Sequence, residues 1–146
     1  MNMERLLKSV KQHEGFRNKV YKDTLGKRTV GYGHLCVEDH WEDNREYTVP
    51  ELERVLEADL NNAVQGAESL LRDGPVLDDL AQELIVEMIF QLGKSGVSKF
   101  HNMWKALKED PPNYEEASIQ MLDSRWAKQT PNRAHEMAEQ MQKCVQ

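Results

Sequence analysis

The sequence predicts an α+β fold that is mainly α-helical, in which a small β-hairpin lobe is joined by a long helix to a helical lobe. Three observations support this prediction. Strand-forming residues are concentrated in positions 16–35. An apolar stripe at helical spacing runs from Leu52 to Leu71. Beyond that stripe, helical patterns interrupted by Gly and Pro continue along the rest of the chain.

The first predicted element is a helix over residues 3–14. Asn2 is a suitable N-cap, and Gly15 is a natural stop, since glycine readily adopts the left-handed conformation that ends helices. Residues 16–35 are then expected to form a short β-hairpin or meander around the turn-rich stretch Asp23-Thr24-Leu25-Gly26.

A polar, acidic and aperiodic stretch over residues 36–47 is expected to be a surface loop. Thr48-Val49-Pro50-Glu51 then fits a capping box, with proline tolerated in the first helical turn. This signal predicts the start of a long helix that ends at Asp73-Gly74-Pro75.

The remaining chain is predicted to be helical. A nearly continuous apolar stripe indicates the central helix of the larger lobe. The expected elements are a helix over Leu80–Leu92 broken at Gly93 and Gly96, a short helix from Phe100 to Leu107, a helix over Asn113–Leu122 capped by Asn113, and a last helix opened by Thr130-Pro131.

Two carboxyl groups stand out as candidates for chemistry. Glu14 closes the first predicted helix, where the negative end of the helix dipole disfavours a carboxylate and suits a proton donor. Asp23 follows in the predicted turn, where solvent and backbone N–H groups can keep it ionised. Two carboxyls in unlike environments are the minimum set for glycoside hydrolysis. Such residues are also commonplace in proteins without this activity, so their spacing leaves both interpretations open.

Three blocks of sequence carry a resemblance to a known family. They are Glu14-Gly15-Phe16-Arg17 with Tyr21-Lys22-Asp23-Thr24 and Thr29-Val30-Gly31-Tyr32-Gly33-His34, then Met88-Ile89-Phe90-Gln91-Leu92-Gly93, and finally Ser124-Arg125-Trp126 with Gln129-Thr130-Pro131-Asn132-Arg133-Ala134. In this order they resemble the signature of phage-type lysozymes, the T-even phage endolysin family. The resemblance implies a two-lobed lysozyme-like fold forming one domain over 1–146, with an N-terminal lobe of about 14–60 and a helical lobe of about 61–146 together with helix 3–13.

The resemblance also implies an activity, hydrolysis of the β-1,4 bond between N-acetylmuramic acid and N-acetylglucosamine in peptidoglycan. Glu14 would donate a proton to the leaving oxygen. Asp23 would support the developing positive charge and, with Thr29, place a water on the opposite sugar face. The family is taken to invert the anomeric centre, which requires carboxyls about 6.5–9.5 Å apart.

Further positions match family residues. Leu35, Phe90, Met103 and Gln120 match sugar-contacting positions, although a core role fits Phe90 equally well. Met103 departs from the family by replacing a small hydroxyl residue. The resemblance implies two supporting roles: Arg133 pairs with Glu14, and His34 is a structural salt-bridge partner. Trp126 and Gln91 match a packed pair behind the cleft.

Composition narrows the partners that we expect. The net charge of −6 makes the chain a poor general binder of nucleic acid. Residues 1–34 carry eight Lys/Arg against three Asp/Glu and could attract an anionic substrate, whereas residues 35–60 carry two against nine and should weaken that attraction. No run of about 20 apolar residues is present for membrane insertion. The five histidines show no ligand spacing, so neither a metal nor another cofactor is expected.

The main hypothesis is therefore a monomeric endolysin that acts on bacterial peptidoglycan during host cell lysis. It would stay in the host cytoplasm until a holin permits passage, and would then reach the periplasm and cell wall. Two alternatives remain open. One is a lysozyme-like module that binds glycan without cleaving it, or serves as a structural part of a phage particle. The other is a lytic transglycosylase, which forms an anhydro sugar without using water.

Overall fold

The computed structural model of the protein describes residues 1–145. Within this range the predicted fold class is confirmed: the chain is α+β and mainly α-helical, with one small antiparallel sheet. Its elements are α1 (Met3–Glu14), β1 (Arg17–Lys22), β2 (Arg28–Gly31), β3 (His34–Leu35), α2 (Val49–Leu71), α3 (Asp79–Ser98), α4 (His101–Leu107), α5 (Tyr114–Leu122), α6 (Arg125–Gln129) and α7 (Pro131–Gln142).

The predicted helix starts are confirmed by their capping hydrogen bonds. Oδ1 of Asn2 accepts from the Arg5 amide at 3.0 Å, and Oδ1 of Asn113 accepts from the Glu116 amide at 3.0 Å. Thr48 and Glu51 form the predicted capping box. The Glu51 amide donates to Thr48 Oγ1 at 3.2 Å, and the Thr48 amide donates to Glu51 Oε2 at 3.0 Å. These starts depend on contacts within three residues, which explains why the sequence reveals them.

Two details of the helical prediction differ in the structure. Gly93, with φ 82° and ψ 158°, breaks the backbone of α3 as expected, but the predicted break at Gly96 is wrong, because the helix continues to Ser98. Gly96 instead provides close packing, since a Cβ there would lie 3.3 Å from Cβ of Leu92. The helix α6 was not predicted, because five residues are too few to show apolar periodicity. Ser124 caps it by accepting from the Ala127 amide.

The described chain divides into two compact units, and both α1 and α2 contribute residues to each. The sheet unit comprises Leu7–Asn62, and the helical unit comprises Met1–Leu6 together with the chain from Ala63 onward. No helix among residues 1–145 is long and apolar enough to cross a bilayer.

In the sheet unit the strands form a meander in the order β1-β2-β3. Val30 at its centre is buried against Trp41, Tyr47 and Leu52, and Val20, Cys36 and Val55 pack around this cluster. The stretch 36–47 is irregular, as predicted, but it is more than a surface loop because it supplies Trp41 to the core. The acidic character of its other residues hides this role in the sequence.

In the helical unit α3 supplies more buried hydrophobic residues than any other helix, and α5 packs against α4 and α7. The predicted apolar stripe of α3 is buried, yet two of its glutamates are buried as well. The Glu83 carboxylate accepts two hydrogen bonds from the Arg5 guanidinium, at 2.6 and 2.7 Å. Such bidentate pairing offsets much of the desolvation penalty of burying a carboxylate.

The capping box of α2 gives a direct test of this local analysis. Thr48→Ala removes the acceptor for the Glu51 amide, so we expect the free energy of unfolding to fall by about 1 kcal/mol in urea titrations. Thr48→Ser keeps the hydroxyl and should lose far less. Equal stability of the two variants would show that the hydrogen bond contributes nothing to the helix start.

Candidate active site

Glu14 is the last residue of α1 and lies directly against the turn between β2 and β3. Gly15 takes the left-handed conformation, with φ 71°, and ends the helix. Gly33 is also left-handed, with φ 76°, and a Cβ at that position would collide with Oε1 of Glu14. Two glycines therefore let the half-buried Glu14 side chain lie close to the backbone of the sheet.

Asp23 occupies the turn between β1 and β2, and its carboxylate organises that turn. Oδ1 accepts hydrogen bonds from the amides of Leu25 and Lys27, both at 2.9 Å. The main chain closes the same turn, because the Asp23 amide donates to the carbonyl of Lys27 at 2.9 Å. Among residues 1–145, Oδ2 has no hydrogen-bond donor. The carboxylate is thus held in position through one oxygen, which leaves the other oxygen for a ligand.

Thr29 lies on β2 at the centre of the meander, and it is 4% exposed. It pairs with Tyr21 on β1 and with Leu35 on β3. Its hydroxyl donates to the carbonyl of Lys27 at 3.1 Å. Since a hydroxyl has one proton and two lone pairs, Oγ1 of Thr29 can still accept a hydrogen bond.

Tyr21 is a further residue of this site, although the sequence predicts no role for it. Burial raises the pKa of its phenol, the nearby Arg17 guanidinium lowers it, and the carboxylates of Glu14 and Asp23 raise it further. Both predicted carboxyls belong to the sheet unit. The pairing of Tyr21 with Thr29 could not be read from a sequence without knowing the strand register.

His34 lies between two carboxylates of the sheet unit. Its Nδ1 is 2.8 Å from Oδ2 of Asp59, and its Nε2 is 2.7 Å from Oε1 of Glu38. The hydrogen bond with Asp59, opposed by burial and reinforced by Glu38, raises the pKa of His34 from 6.5 to about 9. Its ring also packs against Trp41 at a centroid distance of 5.6 Å. This geometry gives His34 a role in holding β3 to α2.

The other predicted supporting residue, Arg133, lies on α7 in the helical unit. Its Nη2 donates to Oε2 of Glu87 at 3.0 Å, and the two side chains are 12% and 2% exposed. The role of Glu87 is hidden in the sequence because this residue lies within an apolar stripe. The predicted pairing of Arg133 with Glu14 joins residues of two units and stays a prediction.

The predicted sugar-contacting residues differ in exposure. Leu35 is 43% exposed, and Phe90 is half-buried. Met103 and the half-buried Gln120 both line a cavity of about 560 Å³ in the helical unit, although Met103 is only 1% exposed. Trp126 lines the same cavity and donates from Nε1 to Oε1 of Gln91 at 2.8 Å, which confirms the predicted pair.

Several acids of the negatively charged stretch pair with basic residues that precede it. Lys11 Nζ is 3.2 Å from Oε1 of Glu53, and Arg28 Nη2 is 3.0 Å from Oδ1 of Asp43. The charge imbalance seen along the sequence is therefore partly compensated within the sheet unit. Among residues 1–145, no three His, Cys, Asp or Glu side chains are grouped so that they could hold a metal ion.

Comparison with known proteins identifies the family. The model of the family described as "Phage lysozyme" matches residues 11–142, which include both candidate carboxyls. The chain belongs to the phage lysozyme family. The predicted family and the predicted enzyme class, a glycoside hydrolase, are thereby confirmed.

Three individual proteins are similar to this member of the phage lysozyme family. The chain is 30% identical to "Probable T4-type lysozyme 1" of Dictyostelium discoideum, an alignment covering 86% of each chain. It is 31% identical to part of "Pre-baseplate central spike protein Gp5" of Enterobacteria phage T4, covering 92% of this chain and 26% of that protein. It is 26% identical to part of "Peptidoglycan hydrolase gp36" of Pseudomonas phage phiKMV, covering 92% of this chain and 15% of that protein.

The contact between Gly33 and Glu14 predicts a selective loss of activity. Gly33→Ala would displace the Glu14 carboxyl, and we expect a fall of about 10²-fold in glycosidase activity because small misplacements of reacting groups are costly. Gly93→Ala is the matched control, since its φ is also left-handed but its Cβ would have open space. Both variants should lose about 1–3 kcal/mol of stability from the positive φ, and Gly93 adds a ψ of 158° that other residues rarely adopt, so activities are compared at a temperature where both variants are folded. Equal activities of the two variants in turbidity assays would show that the contact between Gly33 and Glu14 does not affect the activity.

The ion pairs of His34 predict a pH-dependent stability. Because the pKa is higher in the folded than in the unfolded protein, the contribution of His34 is complete below pH 6.5 and is lost as the pH rises to about 9. We expect the free energy of unfolding to fall by about 1–3 kcal/mol across this range. His34→Gln should remove this slope, whereas His101→Gln, an exposed residue of α4, should retain it. Identical slopes in all three proteins would refute the assignment.

Proposed function

We propose that the protein is a lysozyme that hydrolyses the β-1,4 bond between N-acetylmuramic acid and N-acetylglucosamine in bacterial peptidoglycan. The observation that carries this proposal is the placement of Glu14 against Gly33 and of Asp23 in the turn between β1 and β2, both within the sheet unit of a member of the phage lysozyme family. Peptidoglycan as the substrate class is supported by the name of the relative from phage phiKMV. The choice of bond rests on the family resemblance of the catalytic signature.

Glu14 is the proton donor in this proposal. It lies at the negative end of α1, and the turn at Gly33 confines its carboxyl group. A neutral carboxylic acid held in this way can protonate the glycosidic oxygen as the bond to the anomeric carbon breaks. The sugar on the non-leaving side then carries the positive charge of an oxocarbenium-like transition state.

Asp23 and Thr29 act on the opposite face of the sugar. The Asp23 carboxylate stabilises the developing positive charge, and its Oδ2 can take a proton from an attacking water. The Thr29 hydroxyl donates its hydrogen bond to the Lys27 carbonyl, so Oγ1 can only accept a hydrogen bond from that water. A water that donates one hydrogen to each residue directs its lone pair at the anomeric carbon. This arrangement favours inversion of configuration.

The proposed biological role is host cell lysis at the end of phage infection. The protein would act as a monomer, would remain in the host cytoplasm until a holin permeabilises the membrane, and would then degrade the wall. Leu35, Phe90 and Gln120 would contact the glycan, with the exposed Leu35 side chain available for stacking on a sugar face. Met103 is 1% exposed and would contribute only to the wall of its cavity. Arg133 would support Glu14 in addition to its contact with Glu87.

One comparison favours a second candidate function. Most of this chain matches about a quarter of a phage protein named as a central spike of the pre-baseplate. The second candidate is therefore a lysozyme-like module that serves as a structural part of a phage particle. In that role glycan binding without cleavage would be sufficient. Release of reducing sugar from purified peptidoglycan discriminates between this candidate and an active lysozyme.

Substitution of the proton donor tests the proposed mechanism. Glu14→Gln keeps the shape of the side chain but removes its acidic proton, so we expect clearing of permeabilised Gram-negative cells to fall by at least 10²-fold. Asp23→Asn should also be strongly impaired. Glu4→Gln is the matched control, because it makes the same change on an exposed position of the same helix and should retain activity.

The products complete the test. Hydrolysis gives reducing sugars, whereas a transglycosylase gives anhydro sugars, and mass spectrometry of the released fragments separates the two. Wild-type clearing by Glu14→Gln would overturn the mechanism. Binding of peptidoglycan by the wild-type protein with no release of sugar would favour the second candidate.

A further inference from the structure

Tyr21 lies on the same face of the sheet as Thr29, one of the candidate catalytic residues. Val20, Val30 and Cys36 pack in the core cluster, so alternate residues along the same strands project to the opposite face. Thr29 belongs to that second face, and Tyr21 is its register partner on β1. Residues opposite each other in antiparallel strands share a face, so the Tyr21 ring lies beside Thr29.

The Tyr21 hydroxyl differs from the buried tyrosine hydroxyls of the protein. Tyr47 and Tyr114 accept hydrogen bonds from the amides of Glu42 and Asp78, at 2.9 and 2.8 Å. The Tyr21 hydroxyl has no hydrogen-bond partner in the described part of the chain, although the residue is half-buried. A phenol that is partly removed from water in this way is available to a ligand.

The ring of Tyr21 is held in place, and its hydroxyl keeps its proton. The Arg17 guanidinium lies over the ring, 4.7 Å from the centroid. Burial raises the pKa of the phenol, and the charges of Glu14 and Asp23 act in the same direction against the opposing effect of Arg17. The group is therefore a hydrogen-bond donor on the same face of the sheet as Thr29, which in the proposed mechanism positions the attacking water.

We propose that Tyr21 is a substrate-binding residue of the reaction centre, whose hydroxyl hydrogen-bonds an oxygen of the sugar held between Glu14 and Asp23. The partner on the sugar is a hydroxyl or an acetamido oxygen, since both accept a hydrogen bond from a phenol. This inference rests on the proposed function, because it requires that a glycan occupy the space between the carboxyls.

The test is Tyr21→Phe, which removes one oxygen and keeps the ring under Arg17. We expect kcat/KM on soluble peptidoglycan fragments to fall about 5- to 10-fold, the loss expected for one neutral hydrogen bond, with a rise in KM. The melting temperature should stay unchanged because the hydroxyl has no partner in the described chain. Tyr32→Phe is the matched control, since its hydroxyl also has no partner among residues 1–145 and its ring packs instead on Phe16, 5.0 Å away.

A binding measurement separates this inference from the proposed function. In the Glu14→Gln background, adding Tyr21→Phe should weaken the binding of the same fragments by a similar factor in calorimetry, whereas adding Tyr32→Phe should not. Unchanged affinity and KM would overturn the inference, as would a loss of activity that only parallels a loss of stability. If Glu14→Gln is inactive while Tyr21→Phe matches the wild type, the inference alone fails. If Glu14→Gln is fully active, the proposed function fails first.

Discussion

The approach of the Glu14 carboxyl to the backbone of Gly33 is the constraint on which the candidate site depends. α1 must end where it does, and the turn between β2 and β3 must present no side chain at the point of contact. Left-handed backbone at Gly15 and Gly33 meets both requirements. The proposed proton donor is thus placed by main-chain geometry that rotamer changes of neighbouring residues cannot easily disturb.

The meander serves two purposes because its strands have two faces. One face buries Val30 with Trp41 and Leu52, and the other carries Thr29 with its register partner Tyr21. A shift of register by one residue would exchange these faces, so the hydrophobic cluster that stabilises the sheet also determines which polar groups face a ligand. The alternation of side chains along the strands therefore determines both the stability of the sheet unit and the position of its polar groups.

Buried and surface ion pairs contribute differently to the stability of the protein. In the helical unit, Glu83 and Glu87 are buried, and each is paired with an arginine. Removing one partner of such a pair would leave a buried charge without compensation, which costs several kcal/mol. In the sheet unit, pairs such as Arg28 with Asp43 lie at the surface, where each contributes at most about 1 kcal/mol. Their main effect is to reduce the imbalance between the basic and acidic segments of the chain.

The features that the sequence revealed depend on residues close together in the chain. The cap at Asn2, the capping box at Thr48 and the left-handed stop at Gly15 all act within a few residues, and helical periodicity exposes the long helices. The pair of candidate catalytic carboxyls is equally local, since Glu14 and Asp23 are separated by one short strand. Other features join residues that are distant in sequence. Trp41 is buried although it comes from an acidic loop, and Glu87 pairs with Arg133 on another helix. Tyr21 lies beside Thr29 only because of the register of β1 and β2. These contacts emerge from the packed fold, because no pattern along a single segment records which side chains will become neighbours across space.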